Sequence, residues 1–178
     1  MRLWLSHELA RQISHHALSE QPREACGVLL GAGEQVKRVI PITNTAGDPL
    51  RHYHMDEREL ARVIGGVDGL NLVGFYHSHP KSEPIPSPED VKHAHYPNTP
   101  YLIVGLKDLN QPQWAAWRID YAQVSRVELH IGDAPPPLDH QALSTRARIA
   151  ILTSALIAFI LMIIISLSLL PPAPPIPR

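Results

Sequence analysis

Apolar positions recur along the chain with two periods, and the switches between them mark out its elements. In SHELARQISHHALSE (6–20), Leu9, Ile13, Ala17 and Leu18 recur at helical spacing behind Ser6, a good N-cap, so an amphipathic helix is predicted. ACGVLLG (25–31) and QVKRVIPIT (35–43) are short apolar runs around Gly31-Ala32-Gly33, the pattern of a β-hairpin. MDERELARVIGGV (55–67) returns to the helical period and ends at Gly65-Gly66. NLVGFYHSH (71–79) is strand-like and stops at Pro80; YLIVGL (101–106), PQWAAWRID (112–120) and SRVELHI (125–131) give three more strands. Strands interleaved with helices over residues 1–132 predict one α/β domain, and no internal repeat is visible.

Beyond that domain the pattern changes. Residues 133–148 read as a proline-rich linker, semi-rigid at Pro135–Pro137. The next 22 residues, 149–170, read IAILTSALIAFILMIIISLSLL and carry no charge. As a helix they span about 33 Å at about 1.5 Å per residue, enough for a hydrocarbon core of about 30 Å. Thr153, Ser154, Ser166 and Ser168 are compatible with lipid because hydroxyls bond back to helix carbonyls. A buried core helix would be shorter and would show a polar face, so a single transmembrane helix is predicted, followed by a short proline-rich tail at 171–178. The first dozen residues, MRLWLSHELARQ, are charged and lack the apolar stretch of a signal peptide, which gives the layout of a tail anchor. Arg146 and Arg148 flank the segment on one side and Arg178 on the other, so the positive-inside bias predicts a cytoplasmic N-terminal domain.

Composition narrows the chemistry. The 178 residues include 16 Lys+Arg against 17 Asp+Glu, a formal charge of −1, which gives no electrostatic pull toward nucleic acid. Cys26 is the single cysteine, which excludes an internal disulfide framework and a four-cysteine zinc site.

The informative segment is HSHPKSEPIPSPED, residues 77–90. In a strand, residues i and i+2 share a face, so His77 and His79 can present two imidazoles to one point. Two histidines and a carboxylate suffice for a catalytic zinc with an open fourth position, and Asp90 is the nearest carboxylate candidate. The same residues have a structural reading. An isolated H-x-H is common, and Ser87-Pro88-Glu89-Asp90 fits a helix start with Ser87 as N-cap, Pro88 at N1 and Asp90 as the reciprocal capping carboxylate. Both readings can hold together, since a helix start would fix Asp90 opposite the strand end. Pro80, Pro84, Pro86 and Pro88 stiffen the connection and lower its entropy cost.

H-S-H-P, a serine eight residues after the second histidine and an aspartate three further on resemble the motif of the JAMM (MPN+) metallopeptidases. The family's upstream glutamate precedes a Cys-Gly-Leu-rich strand, and Arg23-Glu24-Ala25-Cys26-Gly27-Val28-Leu29-Leu30-Gly31 is similar to it. The resemblance covers about residues 1–131 and implies a JAMM/MPN-like (cytidine-deaminase-like) mixed β-sheet flanked by helices. It implies one Zn²⁺ per chain on His77, His79 and Asp90, with Glu24 as general base and acid toward a zinc-activated water and Ser87 as oxyanion donor. The implied reaction is hydrolysis of a peptide or isopeptide bond after the C-terminal tail of a ubiquitin-like or sulphur-carrier protein, whose Gly-Gly end would suit a narrow approach. Only about 40 residues follow Asp90 before the linker, so the chain is similar to the compact prokaryotic form. A non-catalytic membrane-anchored scaffold binding such a partner is the alternative, but the chain keeps the full ligand set that scaffold members lose. A zinc deaminase would need H-x-E and P-C-x-x-C, and neither is present.

Other residues carry less. Cys26 is expected to be a buried small hydrophobe, although its strand position shares the Glu24 face. His93 and His95 are expected to face solvent or cap the helix begun at Ser87. His52, Tyr53 and His54 could line a substrate groove, and Trp114 and Trp117 read as strand core.

Overall fold

A computed structural model describes residues 1–121, 123–136 and 145–168. Met1–Pro136 forms one compact unit, and Pro137–Arg178 is the second. In chain order the first unit holds β1 (Arg2–Leu5), α1 (His7–Ser19), β2 (Cys26–Ala32), β3 (Gln35–Ile42), α2 (Glu57–Val63), β4 (Asn71–His79), α3 (Pro88–Lys92), β5 (Tyr101–Gly105), β6 (Gln113–Asp120) and β7 (Gln123–Ile131). The order across the sheet is β1-β3-β2-β4-β5-β6-β7, and β1 pairs in parallel with β7, so the mixed sheet closes on itself.

The elements follow the sequence pattern with local differences. Ser6 caps α1, its hydroxyl oxygen accepting the Leu9 N–H at 3.2 Å. The second helix is shorter than its apolar pattern, because Asp56 caps it at one end and Gly66, at φ +91°, turns the chain at the other. A Cβ on Gly66 would also lie 2.4 Å from the Leu70 carbonyl oxygen. Strand β1 is not evident from the sequence: four residues, RLWL, are too few to show a period.

Alternation along the strands gives the sheet two apolar faces. On one, Leu29, Tyr76, Leu102 and Val104 pack with Ile13 and Ala17 of α1. On the other, Cys26, Val28, Phe75 and Tyr101 pack beneath Leu60 of α2 and Val91 of α3. In β4 the same alternation sends Tyr76 toward α1, where its hydroxyl meets His16 Nδ1 at 2.9 Å, and puts His77 and His79 on the opposite face. Strands β4 and β5 are parallel, so a crossover must join them, and residues 80–100 supply it with α3 inside. The site therefore sits where the sheet ends and the crossover begins.

The second unit's described part is α4 (Thr145–Ser168), whose stretch Ile149–Ser166 has a mean hydropathy of 2.8. Its length and composition are enough to cross a membrane. Thr153 and Ser154 hydroxyls donate back to the carbonyls of Ile149 and Ala150. Linker residues 137–144, residues 169–170 of the apolar segment and the tail at 171–178 lie outside the described residues.

Candidate metal centre

His77, His79 and Asp90 converge although α3 intervenes in sequence. His77 is fully buried at the end of β4, and Cys26 pairs with it across from β2. Asp90 is carried in by the helix start: the Ser87 hydroxyl oxygen accepts the Asp90 N–H at 3.1 Å, and Asp90 Oδ2 accepts the Ser87 N–H at 2.7 Å. The capping box expected at Ser87–Asp90 is present, and it carries the Asp90 carboxylate to the two histidines.

One donor atom from each residue lies within 4.8 Å of the others, close enough to share an ion. His77 Nε2 and His79 Nε2 are 3.1 Å apart, and each lies near one Asp90 oxygen, Oδ1 at 3.4 Å and Oδ2 at 3.3 Å respectively. Tetrahedral zinc with ligands at about 2.0–2.2 Å separates them by about 3.3–3.5 Å. Two histidines and a carboxylate are a donor set zinc accepts, so the residues present fit the ion. Burial would raise the Asp90 carboxyl, but the His77 and His79 imidazoles and the Ser87 N–H hold it well below the usual carboxylate range. It is an anion at any working pH.

The two rings are fixed differently. His79 Nδ1 lies 2.9 Å from the Glu83 carbonyl oxygen and donates its N–H to it, which leaves the Nε2 lone pair available to a metal. His77 Nδ1 is buried with no hydrogen-bond partner, and the ring stacks on Tyr53, centroids 4.4 Å apart at 25°.

Glu24 lies just before β2, close enough to His79 and Asp90 to feel both. The Ser78 N–H donates to the Ala25 carbonyl and the Ser78 hydroxyl oxygen accepts the Ala25 N–H, which extends the β2–β4 pairing past the strand's end. Asn44 Nδ2 donates to the Glu24 carbonyl at 2.8 Å and fixes the backbone there. The side chain is 5% exposed, and its Oε2 has no hydrogen-bond partner. Burial pushes the carboxyl up to about 7, with His79 opposing and Asp90 reinforcing the shift. A carboxyl there exchanges a proton readily near neutral pH.

The remaining candidates sort themselves out. Cys26 is fully buried, its thiol 3.4 Å from the Ile42 carbonyl oxygen, and burial pushes it up to about 12, so it is a core residue with an inert thiol. His93 is exposed and caps α3, with Nδ1 3.1 Å from the Glu89 carbonyl oxygen. His95 is exposed as well. His54, His93 and His95 border a cavity of about 280 Å³ whose walls include Tyr53, Phe75 and Tyr101. Sequence reasoning placed Tyr53 in a groove and missed its contact with His77. It missed Glu83 entirely, because a backbone carbonyl has no residue signature.

Comparison with known proteins gives the chain a family. The family of prokaryotic homologues of the JAB domain matches residues 6–120. A TtuB-protein conjugate cleaving protease from Thermus thermophilus is 38% identical over 105 residues, covering 58% of this chain and 70% of that protein. A desampylase from Haloferax volcanii is 36% identical over 110 residues, 57% of this chain and 79% of its own. A CysO-cysteine peptidase from Mycobacterium tuberculosis is 34% identical over 116 residues, 63% and 79% respectively. Among solved structures, one from Desulfitobacterium hafniense aligns with a TM-score of 0.64 at 29% identity over 78% of this chain and 98% of that one. A JAB1/MPN domain protein from Archaeoglobus fulgidus shares the fold, with a TM-score of 0.50 at 21% identity over 73% and 99%. The chain belongs to the prokaryotic JAB family, the compact form of the JAMM/MPN+ fold, and is a peptidase of that class.

Proposed function

We propose that this chain is a membrane-anchored zinc peptidase that hydrolyses the bond after the Gly-Gly-type tail of a ubiquitin-like or sulphur-carrier protein. Residues 1–132 would form the cytoplasmic peptidase domain, 133–148 the linker, 149–170 the membrane span and 171–178 the tail. The observation that carries the reading is the convergence of three buried ligand atoms beside a buried glutamate with no hydrogen-bond partner on Oε2. The named activities of the relatives, conjugate cleavage and CysO-cysteine hydrolysis, support the substrate class.

His77, His79 and Asp90 hold the ion. Bound there, zinc would supply Lewis acidity, which lowers the pKa of a water from about 15.7 toward about 7. Glu24 takes the attacking water's proton and returns it to the leaving amine; a carboxyl poised at about 7 can do both. Ser87 Oγ already accepts the Asp90 N–H, which orients the hydroxyl and leaves its own proton to donate to the developing oxyanion. The apolar α4 supports the anchor and would confine the reaction to substrates at a membrane surface.

The test uses the full chain in detergent. Ubiquitin-like fusions ending in Gly-Gly are presented in two forms, one bearing a C-terminal cysteine and one an isopeptide-linked lysine. Cleavage after Gly-Gly, lost in Glu24→Gln with zinc retained, is the expected result, and the two arms separate carrier processing from deconjugation. A protein that binds zinc and a fusion yet cleaves neither form would overturn the peptidase reading in favour of a scaffold.

A further inference from the structure

The loop from Pro80 to Pro86 is exposed at Lys81, Ser82, Glu83 and Ile85 and buried at one residue, Pro84. The Ile85 N–H donates to the Glu83 carbonyl across it at 2.8 Å, and two contacts from outside the loop pin that turn. The Trp117 indole N–H, from the middle of β6, donates to the Pro84 carbonyl at 2.8 Å. Behind it, β5 presents Gly105, where a Cβ would lie 2.8 Å from Pro84 Cδ, 2.9 Å from Pro84 N and 2.8 Å from the Ser82 carbonyl oxygen. Only a residue without a side chain lets the loop approach this closely. The Arg126 guanidinium covers the Trp117 ring at 4.9 Å and braces it from β7.

What Pro84 fixes is the peptide unit in front of it. The Glu83 carbonyl belongs to the Glu83–Pro84 peptide, and a planar peptide turns as one body. Holding Pro84 therefore aims the Glu83 carbonyl, and that oxygen is the one 2.9 Å from His79 Nδ1. The acceptor on one imidazole nitrogen decides which nitrogen is left to ligate.

We propose that Trp117 is a positioning residue for the metal centre: by clamping Pro84 against Gly105 it aims the Glu83 carbonyl at His79 and so fixes the ring in the tautomer that offers Nε2. Trp117 touches neither the ion nor a substrate. The inference rests on His79 being a ligand, but its signature exists in the metal-free protein.

The experiment is ¹⁵N NMR of the histidine rings in the full chain in detergent, metal-free, at about pH 9 where imidazoles are neutral. Wild type is expected to show His79 as the Nδ1–H tautomer alone; His79 as Nε2–H in the wild type would overturn the proposal without any variant. Trp117→Phe keeps an aromatic ring and loses the donor. It is expected to give a mixture of His79 tautomers, a shift at His77 Nε2, which lies 3.1 Å from His79 Nε2, and zinc affinity about tenfold lower by chelator competition. A folded Trp117→Phe with wild-type tautomer and affinity would refute the clamp. Gly105→Ala pushes on Pro84 from the opposite side and should reproduce the His79 signature; an unchanged signature there refutes it equally. Zinc bound by neither wild type nor variant would defeat the metal reading and leave the tautomer result standing by itself.

Discussion

His77 and His79 stand two residues apart on one strand, yet the surroundings treat them unlike. His79 is governed through a hydrogen bond, from Nδ1 to a carbonyl on a loop docked against β5 and β6. His77 is governed through a surface, the face of Tyr53, and its Nδ1 meets no acceptor. A stacked neighbour fixes the plane of a ring but leaves the position of its proton open, whereas a hydrogen bond fixes both. Burial also lowers the His77 pKa despite Asp90 beside it, while the Asp90 and Glu83 contacts outweigh burial at His79 and raise its pKa. One strand end thus presents a ring backed by an aromatic face and a ring backed by a carbonyl oxygen.

The largest effect should come from the residue that bridges both rings. Asp90→Ala is expected to take bound zinc from one per chain to none, measured by metal analysis of the full chain with the fold checked by circular dichroism. His77→Ala should do the same, and retention of one zinc by either variant would remove that residue from the centre.

Glu24→Gln leaves both rings in place and removes the proton carrier, so turnover should fall about 10²–10⁴-fold with zinc content unchanged. Burial raises this carboxyl above its ordinary value, so the wild-type activity should fall as pH drops and the base becomes protonated. A kcat/KM profile flat from pH 8 to about pH 5 would contradict this assignment.

The same group makes a smaller stability prediction. Its pKa is about 7 folded against 4.5 ordinarily, so the folded state binds the proton more tightly and stability is lost as pH rises from below 4.5 through about 7. Glu24→Gln removes that loss and should stabilise the metal-free protein at pH 8 by up to about 3 kcal/mol, with no gain at pH 4. Urea unfolding at the two pH values measures the difference.

The smallest effect tests the stacking contact. Tyr53→Ala should weaken zinc binding about 2- to 10-fold, the worth of one ring contact of about 0.5–1.5 kcal/mol, and Tyr53→Phe should leave it unchanged. An equal loss in both variants would mean that the phenol hydroxyl, and not the ring face, holds His77.

Much of this site could be read from the chain because its parts are side chains with strong local rules. Two histidines at i and i+2 on a strand, and an aspartate at the third position of a helix capped by serine, are placed by local geometry. Glu24 needed the family resemblance, since nothing within its own segment separates a buried carboxylate from a solvated one. Tyr53, Glu83 and Trp117 escaped for a different reason: their roles arise where distant segments meet, one through a ring face, one through a backbone oxygen and one through an indole N–H. Strand β1 escaped because its four residues are specified by neighbours more than a hundred positions away.

That last pairing sets a clock on the molecule's synthesis. Residues 2–5 meet residues 128–131, so the sheet cannot close until nearly the whole unit has been made. Ile149, the first residue of the apolar stretch, follows Ile131 by 18 positions (149 − 131). At about 5–20 residues per second, translation crosses that interval in about 1–4 s. Because the ribosome encloses the most recently added residues, Ile131 emerges only once the apolar stretch is being added, and the barrel is sealed with that stretch already under synthesis.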